Sequence, residues 1–120
     1  MENCVFCRII NRKEPAFIVY EDEETIAFLD KYPQTRGHLQ LAPKTHVRWV
    51  YDIEQIGSFF VTAKMLIRGI IPVLRADYVR LASFGEEVPH GHLWIVPQYG
   101  KAIQLVEGKK LPPKEDLRAV

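Results

Sequence analysis

Two histidines one residue apart, His90-Gly91-His92, open an alternating run, His92-Leu93-Trp94-Ile95-Val96-Pro97. If the run is extended, successive side chains take opposite faces. His90, His92 and Trp94 then share one side, while Leu93 and Ile95 point into a core on the other. Side chains two apart on a strand stand about 6–7 Å from each other. At that spacing one imidazole can act as nucleophile or base while its neighbour orients it or meets the same anion. On the His-x-His pattern alone, two surface histidines on a half-exposed strand are the commoner outcome. The second candidate is Cys4-Val5-Phe6-Cys7. Two thiolates so spaced suit one tetrahedral ion, but the pair needs two further ligands. The alternative is two reduced cysteines without metal.

The elements that must position these groups follow from periodicity. Residues 4–12 read as a short helix with Ile9 and Ile10 inward. Phe17–Tyr20 and Thr25–Leu29 read as strands joined through the acidic cluster Glu21-Asp22-Glu23-Glu24, a hairpin. Tyr32–Gly37 is loop chemistry, and His38–Ala42 alternates as a third strand. Ile53, Ile56, Phe60, Ala63, Leu66, Ile67 and Ile70 recur at helical spacing. Asp52 is placed to cap that helix, with Gln55 as its reciprocal partner. Pro72 lacks an N–H, so the helix should kink or end near Gly69–Ile71. Tyr78–Ser83 and Val88–Val96 read as two more strands, residues 109–113 as a loop and 114–120 as the start of a helical tail. Hairpin-joined strands with segregated helices imply an α+β domain: an antiparallel sheet of about five strands, a long helix on one face and a short N-terminal helix.

Composition narrows the partners. At 120 residues the chain suits one domain, residues 1–120, with a core of its own. Sixteen Lys and Arg against fifteen Asp and Glu leave a net charge of +1, which advertises neither a nucleic-acid backbone nor a membrane surface. The longest apolar run carries Lys64 and Arg68, so no membrane-spanning segment is expected. Two cysteines at one end do not make a disulfide framework, and no secretory apolar region follows Met1. A cytoplasmic setting is the expectation.

Taken together, the motifs resemble the histidine-triad (HIT) family. His90-Gly91-His92-Leu93-Trp94-Ile95-Val96-Pro97 is similar to its His-φ-His-φ-His-φ-φ signature followed by Pro. Cys4-Val5-Phe6-Cys7-Arg8-Ile9-Ile10, Glu14-Pro15-Ala16, Tyr20-Glu21-Asp22, Ala27-Phe28-Leu29-Asp30, Gly37-His38 and Ala42-Pro43-Lys44-Thr45-His46 come in the family's order. The likeness covers residues 4–101 and leaves 109–120 as a tail. A run of linked motifs is far more specific than any one alone.

The resemblance implies a HIT-like fold and a nucleotide phosphohydrolase or nucleotidyl transferase. Its substrates would be purine nucleoside phosphoramidates, adenylylated compounds or dinucleoside polyphosphates. By position, His92 would attack the α-phosphorus and form a nucleotidyl-histidine, His90 would stand beside the phosphates, and His38 would complete the histidine-lined end. Asp30 would bind the ribose hydroxyls, and Phe6, Ile9 and Phe28 would hold the purine. Relatives with the cysteine pair bind structural zinc, which here would use Cys4, Cys7, His46 and His90. A homodimer joined through sheets and long helices is also implied. The pattern breaks at Trp94, which stands in the place of the third histidine and offers one N–H donor but no acid–base capacity. Glu86 stands where a neutral phosphate contact is usual, and Gln98 where Arg often follows the Pro. The alternative is therefore a zinc-stabilised nucleotide-binding protein with weakened catalysis.

Overall fold

Asp22 turns the first hairpin. Its Oδ1 accepts from the Glu24 N–H at 2.8 Å, the Thr25 N–H at 2.7 Å and the Thr25 hydroxyl at 3.0 Å, while Oδ2 accepts from the Tyr20 hydroxyl at 2.8 Å. A side chain that satisfies its own turn in this way is why an acidic cluster can reverse the chain. The strands it joins are β1 (Ile18–Glu21) and β2 (Thr25–Leu29). The computed structural model describes residues 3–100, so the loop over 109–113 and the tail over 114–120 lie outside the described residues.

Beyond the hairpin come β3 (Leu39–Pro43), a 3₁₀ turn at Val50–Asp52, the long helix α2 (Ile56–Leu74), β4 (Tyr78–Ala82) and β5 (Leu93–Gln98). The short helix α1 (Val5–Ile10) precedes them all. The strands form one antiparallel sheet in the order β1-β2-β3-β5-β4. The α+β class and the five-stranded sheet are as expected.

Alternation gives the sheet two different faces. Ala27, Leu39, Leu41, Leu93 and Ile95 pack on Phe59 and Ala63 of α2. Ile26, Phe28 and Ala42 pack on Phe6, Cys7 and Ile9 of α1. The register sets Gln40 between Phe28 and Trp94 on the α1 side. Large side chains buried this fully contribute roughly 1.5–3 kcal/mol each. Phe59, Ile26, Leu39, Leu41 and Ile95 are all below 2% exposure, so the site is built on a rigid sheet.

Four expectations are corrected. Asp52 does not cap α2; it lies in the 3₁₀ turn, and Gln55 holds the N-cap position without a side-chain bond. Pro72 sits inside α2, which continues to Leu74 and closes through Arg75 in the left-handed region at φ 58°. Pro72 is solvent-exposed, so water can meet the carbonyl its missing N–H leaves unpaired. The last strand starts at Leu93 rather than Val88. Pro89 has no N–H, and the Gly91 N–H goes to the Val47 carbonyl at 2.5 Å, so both histidines sit in the bend that leads into β5. Finally, α2 has 19 residues and is long and apolar enough to cross a membrane by length and composition. Its inner stripe, with Phe59 and Ala63 buried, packs on the sheet.

Candidate active site and metal centre

Helix α1 begins where Cys4 caps it, its sulfur accepting from the Cys7 N–H at 3.3 Å. One turn of helix therefore turns both thiols the same way. His46, from the loop after β3, and His90, from the bend before β5, meet them there. Cys4 Sγ lies 3.2 Å from His90 Nδ1, Cys7 Sγ lies 3.3 Å from His46 Nδ1, and Cys7 Sγ lies 3.6 Å from His90 Nδ1. The four candidate ligand atoms all lie within 4.8 Å of one another. A tetrahedral ion with bonds of about 2.3 Å to sulfur and about 2.0 Å to nitrogen requires S···N edges of roughly 3.5 Å. Three of the four S···N separations, 3.2, 3.3 and 3.6 Å, match those edges.

His90 has no nitrogen to spare. Its Nε2 donates to the Pro43 carbonyl at 2.8 Å while Nδ1 faces the thiols, the second bond that orients a metal-binding imidazole. Burial holds its pKa down to about 4, against the Pro43 bond and with help from His46 and His92, so the ring is neutral and able to ligate. Burial pushes the Cys7 thiol up to about 11, reinforced by Cys4. A bound cation reverses that preference by stabilising the thiolate. The geometry therefore brings His90 together with Cys4, Cys7 and His46 as one candidate ligand set.

His92 is held differently. Its Nδ1 lies 2.6 Å from the His90 carbonyl, which can only accept, so Nδ1 carries the proton and Nε2 keeps its lone pair. The His92 carbonyl accepts from the Ser83 hydroxyl at 2.6 Å, which pins the backbone below the ring. Burial lowers the His92 pKa, opposed by the His90 carbonyl and by Asp30, and this favours the neutral, nucleophilic form. The residue is only 3% exposed, and Phe6 lies edge-on to it with ring centroids 5.0 Å apart. Phe6, Ile9 and Phe28 are themselves core residues at 4%, 6% and 4% exposure. The ligand-free site is thus a closed aromatic seam, with His92 Nε2 absent from the sealed, unpartnered atoms among the described residues.

Of the remaining predicted residues, His38 and, through it, Trp94 gather at Asp30 beyond the end of β2, and Glu86 does not. Asp30 Oδ1 accepts from the Tyr32 N–H at 2.8 Å, and Oδ2 accepts from Gln40 Nε2 at 2.8 Å. His38 Nδ1 accepts from the Gln34 N–H at 3.1 Å, so its proton is on Nε2, 3.5 Å from Asp30 Oδ2. Burial lowers the His38 pKa while Asp30 opposes the shift. Trp94 turns its ring to His38 and to Phe84, at 4.7 and 4.9 Å between centroids. Glu86 is exposed and folds back to accept from the Gly85 N–H at 3.3 Å.

Gln40 and Phe84 are two residues of the site that the sequence reading missed. A lone amide on a strand of otherwise apolar type, on the side that carries Phe28 and Trp94, is the signal that could have exposed Gln40. An open cleft of about 570 Å³ lies between the β1–β2 turn and the start of α2, and none of the predicted site residues lines it. Volume alone would have chosen that cleft, but its lining carries no histidine or cysteine.

A profile of the HIT domain family matches residues 11–101. "Protein hit" of Bacillus subtilis is 36% identical over 107 residues, covering 83% of this chain and 74% of its own length. Adenosine 5′-monophosphoramidase of Saccharomyces cerevisiae is 30% identical over 110 residues, covering 88% of this chain and 68% of the yeast protein. Among solved structures, a Zn-bound histidine triad family protein from Mycobacterium smegmatis superposes with a TM-score of 0.76 at 30% identity, over 96% of this chain and 87% of that one.

Proposed function

Because the chain belongs to the HIT family, we propose that it is a nucleotide phosphohydrolase or nucleotidyl transferase that works through His92. The single observation that carries this reading is the 2.6 Å bond from His92 Nδ1 to the His90 carbonyl, which leaves Nε2 as the free lone pair on a fixed ring. Nε2 attacks the α-phosphorus of a purine nucleoside phosphoramidate or related conjugate. The P–N bond to His92 forms as the bond to the leaving group breaks, and solvent protonates the departing amine. Water then attacks the same phosphorus, the P–N bond to His92 breaks, and the nucleoside monophosphate leaves. The similarity to a yeast adenosine 5′-monophosphoramidase supports the substrate class.

Zinc is the metal that the Cys₂His₂ donor set favours, and four protein ligands leave it no open position, so it acts structurally. Cys4 and Cys7 tie α1, and with it Phe6, to the loops that carry His46 and His90. Apolar surface on the outer side of α2, at Ile56, Phe60, Val61 and Met65, supports a two-fold homodimer. Sedimentation equilibrium returning a single-chain mass at tens of micromolar would remove that part of the reading.

A second reading is favoured by the 3% exposure of His92 and by Trp94: a nucleotide-binding protein whose chemistry has weakened. One experiment separates the two. The full chain is incubated with adenosine 5′-phosphoramidate and sampled by mass spectrometry for a nucleotidyl adduct on His92. The enzymatic reading expects the adduct and turnover in wild type and neither in His92→Ala. Binding of AMP without adduct or turnover in either protein selects the second reading.

A further inference from the structure

Among the described residues, three side-chain atoms are sealed from solvent without a hydrogen-bond partner, and two of them belong to one spot: His38 Nε2 and Gln40 Oε1. Leaving such groups unpaired is costly unless something comes to meet them. Asp30 can only accept, so the amide of Gln40 must present its NH₂ to Oδ2, and its oxygen is the part left over. The tautomer of His38 is fixed as well, because Nδ1 accepts from the Gln34 N–H and Nε2 must carry the proton. The spot therefore offers a carboxylate acceptor, an amide acceptor and one imidazole donor, the last two sealed from water.

We propose that Gln40 is a specificity-determining residue: with Asp30 it forms a two-acceptor seat for the vicinal diol of a ribonucleotide, and it makes the site discriminate against deoxy analogues. This rests on the nucleotide reading above and goes beyond it, since it assigns one hydroxyl to Gln40 Oε1, with each Asp30 oxygen already accepting one protein hydrogen bond. The geometry suits a diol. Gln40 Nε2 is 2.8 Å from Asp30 Oδ2, and amide bond lengths put Oε1 about 2.2 Å from Nε2, so the two acceptors lie within about 5 Å. Two neighbouring hydroxyls, each donating over about 2.7 Å, span such a gap. His38 Nε2–H, 3.5 Å from the same carboxylate oxygen, is placed to donate to one of the hydroxyl oxygens. Phe28 and Trp94 flank Gln40 across the strand pairings and supply apolar walls for the carbon face of a sugar. The outer wall is the Trp94–Phe84 pair, of which Phe84 is 42% exposed.

The test measures dissociation constants of AMP, 2′-deoxy-AMP and 3′-deoxy-AMP by calorimetry for the full chain and for Gln40→Leu and Gln40→Met. Wild type is expected to bind AMP about ten- to a hundredfold more tightly than each deoxy analogue, the range set by one unpaired buried polar group. In the variants the preference against one analogue falls below about threefold while that against the other, read by Asp30, persists. Wild-type affinities for all three ligands within about twofold overturn the proposal without recourse to any variant. So does retention of both wild-type preferences in a folded Gln40→Leu or Gln40→Met. A wild-type chain that binds none of the three removes the nucleotide reading and this inference with it, whereas AMP binding with unchanged preferences removes the inference alone.

Discussion

Stripping the metal centre should destabilise the protein without unfolding it. Free of an ion, burial keeps the Cys7 thiol protonated, with its pKa about 11, and His90 neutral, with its pKa about 4, so neither group carries a charge that drives α1 off the sheet. Six residues cannot hold a helix by themselves. Phe6 and Ile9, at 4% and 6% exposure, contribute roughly 1.5–3 kcal/mol apiece and keep it docked. What is lost is the binding linkage, about 2.7–4.1 kcal/mol when free ion stands at one hundred to one thousand times its Kd. For a chain of this size that is roughly 10–20 °C in Tm. The S···N separations of 3.2–3.6 Å mean that reloading needs little rearrangement, so the loss should be fully reversible. The assay is scanning calorimetry of protein dialysed against chelator and then titrated with zinc, with metal content measured in parallel. Cys7→Ser should melt at the chelated temperature whether or not zinc is present. If chelated and reloaded wild type melt within about 2 °C of each other, or the purified chain carries no stoichiometric metal, the reasoning fails.

Three further outcomes can be checked. Burial pushes the Asp22 carboxyl up, but hydrogen bonds from Tyr20, Glu24 and Thr25 outweigh it and lower its pKa. Its contribution is therefore complete above the unfolded value of about 3.9 and lost as pH falls through the lower folded value. Asp22→Ala should cost roughly 1–3 kcal/mol in urea at neutral pH, with the gap to wild type closing in acid; a gap independent of pH contradicts this. A Cβ at Gly85 would run into the Trp49 ring, and the Arg48 carbonyl lies 3.2 Å from it on the other side. Gly85→Ala should lose about 1–3 kcal/mol, partly restored when combined with Trp49→Leu, and strictly additive effects would refute the clash. Trp94→His returns a proton-transfer group to the site and should raise phosphoramidate turnover by about a hundredfold or more. An unchanged or lower rate counts against the role assigned to the missing imidazole.

Alternation along β5 set Leu93 and Ile95 toward α2 and Trp94 on the other face, because strand periodicity is a local property of covalent geometry. His90 and His92 lie ahead of that strand and are placed by their contacts. Local geometry also sets the turn at Asp22, whose partners lie within three residues, and part of the α2 stripe: Ala63, Leu66, Ile67 and Ile70 face the sheet as expected, but Phe59 is buried in place of Phe60, which with Ile56 is exposed. The four side chains of the Cys/His cluster were legible too, but through family resemblance rather than spacing: Cys4 and His90 are 86 positions apart, and no local rule brings them to 3.2 Å. Only the tertiary structure decided which nitrogen of each histidine is free, since a tautomer depends on the partner across the fold. The Pro43 carbonyl commits His90, the Gln34 N–H commits His38, and the His90 carbonyl frees Nε2 of His92. It also decided that Phe6 closes over His92 and that Gln40 takes one oxygen of Asp30. Both follow from cross-strand register and helix docking, which the packing of distant segments sets and short-range pattern does not encode.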